Sequence, residues 1–160
     1  MKIFIFITMP FIAGNTLSVM SPAFESSSSI PMKYSCEGQS ISPPLTIKKI
    51  PENTKTLALI MDDPDAPNGT FDHWIMWNIP VTETIEENTA PGTQGLNGRN
   101  ENKYTGPCPP DGTHHYHFKV YALDTELNLP ANSDKQALIK AMKGHILADG
   151  ELVGLYKKQK

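Results

Sequence analysis

Proline sets the first limit on this chain. Fourteen of its 160 residues are proline, about 9% (14/160) against a usual level of about 5%. Proline lacks the amide donor and fixes φ, so it is costly inside helices and central strands. A helical bundle is disfavoured, and a loop-rich, mainly β domain is predicted. The length suits one domain. A hydrophobic content of 39% rules out intrinsic disorder. With a net charge of −3, the chain has no general attraction for nucleic acid or an anionic membrane surface.

The first residues read differently from the rest. Met1-Lys2 supplies one positive charge, residues 3–13 are almost wholly apolar, and Asn15, Thr16 and Ser18 follow. Such a run is too short to span a bilayer and has the pattern of a secretory signal peptide. Residues 1–18 are therefore predicted to be a signal peptide or apolar leader, with one domain over 19–160 in a periplasmic or secreted protein. The alternative is an uncleaved N-terminal strand in a cytoplasmic protein. Cys36 and Cys108 follow the same fork. In an exported protein they can form one bridge closing about 70 residues; in the cytoplasm they are free thiols.

Along the chain, residues 26–29 are four serines and read as an exposed turn. Residues 57–61 are continuously apolar, as in a strand buried on both faces. Residues 73–79 suit a second buried strand that stops at Pro80. Residues 90–106 hold four glycines and several asparagines and read as a long surface loop. From His114 to Leu123, alternation places His114, Tyr116, Phe118 and Val120 on one face, with His115, His117, Lys119 and Tyr121 on the other. A helix follows, with Ser133 and Gln136 as a capping box and Gly144 at its end. Residues 146–147 and 152–156 are left for a turn and a final strand.

Two segments can carry chemistry. Asp62-Asp63-Pro64-Asp65-Ala66-Pro67 follows a buried strand directly, and its three carboxylates repel one another unless they find donors or a cation. By itself such a segment is also an ordinary turn. Gly106-Pro107-Cys108-Pro109-Pro110-Asp111-Gly112-Thr113 is a rigid loop feeding a strand that opens with His114 and Tyr116. An imidazole and a phenol donate hydrogen bonds, and a proline-stiffened loop holds its backbone amides in place, which suits an anion such as phosphate.

Together the two segments resemble the signature motifs of the phosphatidylethanolamine-binding protein (PEBP) family, the Raf kinase inhibitor proteins. Asp63-Pro64-Asp65-Ala66-Pro67 is similar to its D-P-D-A-P element, followed by His73-Trp74. Gly106-Pro107 through His114-His115-Tyr116 is similar to its G-P…G-x-H-x-Y element. Ser42-Pro43-Pro44-Leu45 and Gly144-His145-Ile146-Leu147 resemble the bacterial Raf kinase inhibitor-like branch. The resemblance runs from about residue 17 to 156. It implies a PEBP-like fold of two packed antiparallel sheets, few short helices and a small ligand pocket at one end. It further implies ligand-binding roles for Asp63, Ala66, Pro67, His73, Pro107, His114 and Tyr116, with Phe71 as an aromatic wall. Cys108 stands where animal members have proline, and His115 where they have arginine.

The leading functional expectation is a non-catalytic binding protein, with no cofactor. Its ligand would be a phosphate-like anion or phosphoethanolamine headgroup. Asp63 would hydrogen-bond the histidines, raise their pKa and make affinity fall with rising pH. A metal-dependent or thiol hydrolase using the His/Asp cluster is the alternative, with His115 and His117 spaced for a surface zinc and Cys108 as the thiol. The resemblance also implies a kinase or protease as protein partner, and a homodimer, which some relatives form.

Overall fold

The computed structural model describes residues 15–159. In chain order its strands are β1 (Asn15–Thr16), β2 (Ser18–Met20), β3 (Ser28–Ser29), β4 (Leu45–Lys48), β5 (Thr56–Asp63), β6 (Phe71–Pro80), β7 (Thr84–Ile85), β8 (Thr93–Gln94) and β9 (His114–Leu123); helix α1 (Lys135–Met142) and β10 (Ile146–Tyr156) follow. The larger sheet has the order β1-β10-β9-β5-β6-β8, with β3 also on β10, and the smaller has the order β2-β4-β7. The fold is mainly β, as the sequence predicts. Its long strands pair antiparallel, whereas the two-residue β1 and β3 lie parallel to β10.

Strand β5 explains the layering. All eight of its residues are buried, because both faces of the larger sheet are covered. Leu57, Leu59 and Met61 enter the core shared with the smaller sheet, beside Ile47, Trp74, Phe118 and Leu152. Ala58 and Ile60 face a second core formed with Trp77, Leu127 and the α1 residues Leu138 and Met142. A strand covered on both sides shows continuous rather than alternating hydrophobicity. On β9, Tyr116, Phe118 and Val120 are buried in the first core, as alternation predicts.

Residues 15–18 pack on the larger sheet: β1 pairs with Ala148 and Asp149 of β10, and Leu17 is buried in the core. The rest of the expected leader, residues 1–14, lies outside the described residues. Gly150 permits this docking, because a Cβ there would lie 2.2 Å from the Leu17 carbonyl oxygen. The expected turn and final strand are one continuous β10, held along its length by β9. Asp134, not Ser133, caps α1, accepting from the Ala137 amide; Ser133 is buried, with its backbone bonded to Pro130 and Leu96. Gly144, at φ +82°, follows the helix end as predicted. The serine run contributes β3, and the segment 90–106 contains β8 with Asn97 and Thr105 buried. Among the described residues, no helix is long and apolar enough to cross a membrane.

Candidate functional site

The three clustered carboxylates each find donors, and in doing so they build one end of the sheet. Asp62 lies on the helix-side face, where Lys119 and Lys135 each place Nζ 3.0 Å from its Oδ2. Lys135 also donates to Asp72 at 2.7 Å. Asp63, one residue on, faces the opposite way and accepts from His114 Nδ1 at 2.7 Å and from the Asp65 amide at 2.8 Å. Asp65 accepts from both the amide and Nδ1 of His115. Those side-chain and backbone bonds hold its carboxyl below the usual range.

His73 reaches the Asp63 side through a break in register. Met61 pairs with Trp74 but Asp62 pairs with Asp72, so His73 is the extra residue of a β-bulge. Bulges re-aim side chains, and they are common beside functional sites. Here Asp72 bonds Lys135 on the helix side, Trp74 packs in the inter-sheet core, and His73 joins the rings of Phe71 and Tyr116 at centroid distances of 4.8 and 5.2 Å.

These elements enclose a cavity of about 160 Å³. Six of the seven residues expected from the sequence line it: Asp63, Ala66, Pro67, His73, His114 and Tyr116. Phe71 also lines it. Pro107 does not; its carbonyl accepts from the Cys36 amide, and the wall there is made by Gly106, Cys108, Pro109 and Pro110. The remaining lining residues, Arg99 and Thr105, come from a segment with no hydrophobic period and were missed by the sequence reading. The only signal available was that glycine- and asparagine-rich long loops are often functional.

Cys36 and Cys108 form a disulfide with Cα atoms 5.4 Å apart, which ties the cavity wall to the 3-10 turn Met32–Tyr34. Cys108 is therefore no free thiol. His115 and His117 pair with Asp65 and Glu151. No group of three or more His, Cys, Asp or Glu residues among the described residues could hold a metal ion.

The two cavity histidines are held differently, which corrects the expectation that Asp63 orients both. His114 donates Nδ1–H to Asp63. His73 Nδ1 lies 2.7 Å from the Thr105 carbonyl. A carbonyl only accepts, so Nδ1 carries the proton and Nε2 of the neutral ring keeps a lone pair. Burial lowers the His73 pKa from 6.5, outweighing the Thr105 bond and the Asp63 charge, and Arg99 lowers it further. His73 is thus a neutral polar group, not a cationic donor.

In an NMR titration, His73 is expected to show a midpoint below 6.5 and to be the Nδ1–H tautomer at neutral pH. The unfolded chain takes up this proton first, so His73 weakens folding as pH falls through 6.5. A midpoint at or above 6.5 would show that burial is not the dominant influence.

Tyr116 completes the floor. Its hydroxyl is buried, the Cys108 backbone amide lies against its oxygen, and among the described residues no group accepts from its O–H. Burial, with the charges of Asp63 and Asp65, pushes its pKa well above the usual phenol range; the nearby Cys108 backbone opposes this only in part. The site therefore holds a protonated O–H with no acceptor among the described residues, which is costly unless a ligand or water accepts from it.

Comparison with known proteins agrees with this architecture. Residues 20–157 match the family described as phosphatidylethanolamine-binding protein. A UPF0098 protein of Pyrococcus abyssi is 49% identical over 157 residues, which cover 91% of this chain and 88% of that protein. A Chlamydia trachomatis structure described as a PEBP homologue has a TM-score of 0.87 at 42% identity, covering 91% of this chain and 99% of that one. Escherichia coli YbcL, described as a new member of the mammalian PEBP family, has a TM-score of 0.82 at 28% identity, with 89% and 99% covered. Sequence match and fold likeness converge, and the chain belongs to the phosphatidylethanolamine-binding protein family.

Proposed function

We propose that this protein is a non-enzymatic binding protein whose cavity takes a phosphate-like anion, either free or as a phospholipid headgroup. The observation that carries this reading is the Tyr116 O–H, without an acceptor among the described residues, in the same small cavity as the buried His114–Asp63 pair. With Nδ1–H committed to Asp63, the imidazolium form of His114 has Nε2–H left to donate to an anion, and Tyr116 offers an O–H. Phe71, Pro67, Pro109 and Pro110 supply an apolar rim, which suits the organic part of a headgroup. Family membership supports a binding role in general; the small cavity and its donors support an anion as the ligand.

Calorimetry with inorganic phosphate and with phosphoethanolamine tests the reading. The wild type is expected to bind at least one of them. His114→Gln should weaken binding about tenfold or more, the size of one hydrogen bond to a charged group. Absence of binding to both, or an unchanged affinity in the variant, overturns it.

A further inference from the structure

We propose that Arg99 is the residue on which anion capture in this cavity depends, its guanidinium closing on the phosphoryl group of the ligand at the cavity mouth. The proposal rests on the reading of the cavity as an anion site and names the group that supplies its charge. Arg99 is the single arginine of the chain. It lines the cavity, and among the described residues it has no carboxylate within ion-pair distance.

The floor cannot supply that charge by itself. The imidazole of His114 is bonded to a carboxylate, so the pair carries no net positive charge in either protonation state of the ring. His73 spends its Nδ1–H on Thr105, leaving only an acceptor. Of the residues around the cavity, Arg99 alone is a permanent cation. Its planar fork matches phosphoryl oxygens in two parallel hydrogen bonds.

The backbone under Arg99 is built rather than loose. Asn97 is buried, and its Oδ1 accepts from the amides of Arg99 and Glu101. Its Nδ2 donates to the Lys103 carbonyl and to Thr105 Oγ1. The Asn100 amide closes the turn on the Asn97 carbonyl, with Asn100 at φ +59°. Gly98 donates to the Asp72 carbonyl, and a Cβ there would lie 2.6 Å from the Phe71 ring. One asparagine thus joins the Arg99 turn to Thr105, and Thr105 in turn orients His73. Holding the backbone in this way lowers the ordering cost of binding, which then falls mainly on the arginine side chain.

The test compares Arg99→Gln, Arg99→Lys and His114→Gln with the wild type. Each is titrated by calorimetry with inorganic phosphate, phosphoethanolamine and glycerophosphoethanolamine. Arg99 is exposed, so R99Q should melt with the wild type, and equal melting temperatures establish that only binding has changed. R99Q is expected to weaken whichever phosphoryl ligand binds by about 10- to 100-fold, the range for a charge-assisted hydrogen bond. R99K should recover part of the loss, because it keeps the charge without the fork. Preference for the glycerol ester supports the proposal with a lipid headgroup as the source; equal binding of inorganic phosphate supports it with free phosphate. R99Q within twofold of wild type, while H114Q is weakened, overturns the role of Arg99 and leaves the anion cavity standing. A wild type that binds none of the three overturns both.

Discussion

Replacing Cys36 and Cys108 by serine is expected to lower the stability of the protein by about 4 kcal/mol, the chain-entropy value for a loop of this length. The bridge joins residues 72 apart in sequence, so it removes a large set of extended conformations from the unfolded chain. At about 2–4 °C per kcal/mol for a domain of this size, the melting temperature should fall by about 10 °C or more. Cys108 also lines the cavity, beside Pro109 and Pro110. Without the bridge, the link from this wall to the 3-10 turn and the residues after it is left to hydrogen bonds: the Cys36 amide to the Pro107 carbonyl, the Gly106 amide to Ser40 Oγ and the Tyr104 hydroxyl to the Tyr34 carbonyl. Anion affinity should therefore drop in the double variant at temperatures where it remains folded. Thermal melts of the double-serine variant and of the wild type with and without reductant check the first expectation; a shift of only 1–2 °C contradicts it.

Asp63→Ala is expected to have the second large effect, about 3 kcal/mol or more of stability. Asp63 is only 3% exposed, and it accepts from both His114 and the Asp65 amide. Removing it leaves two buried donors without their acceptor, each loss costing about 1–3 kcal/mol. Asp63→Asn separates charge from shape. An amide has one oxygen for two donors, so one of the two bonds is lost even though the volume is kept. D63N should be destabilised less than D63A, by about 1–3 kcal/mol, and should still lose anion affinity because His114 is no longer held in one tautomer. Denaturant unfolding of both variants, with calorimetry on D63N, tests this. Equal stability of D63A and wild type would remove Asp63 from its place as the keystone of the floor.

Much of the architecture is legible along the chain because it is local. The unbroken apolar stretch 57–61 reads as a doubly buried strand, and β5 has both faces covered. The alternation after His114 assigns the faces of β9 correctly. Local patterns fail where tertiary partners compete. Ser133 has the better capping-box spacing, yet its backbone is committed to Pro130 and Leu96, and Asp134 takes the cap. Residues 146–147 and 152–156 read as a turn and a separate final strand, yet ten paired positions against β9 join them into one.

The cavity divides in the same way. The sequence alone determined which proline-stiffened segments frame it and which side chains at their ends are polar: Asp63 closing one strand, His114 and Tyr116 opening another. Those assignments need only neighbours two residues apart, since a strand turns every second side chain to the same face. The resemblance puts His73 with them, but the physical cause is tertiary, because the bulge that turns it to their side is a property of two strands in register and not of either sequence. Only the tertiary structure decided that Thr105 rather than Asp63 orients His73, and that Asn97 folds its loop back to bring Arg99 to the mouth. These bonds join backbone and side-chain groups whose pairing depends on the return path of a loop, and no periodicity in the chain encodes that path.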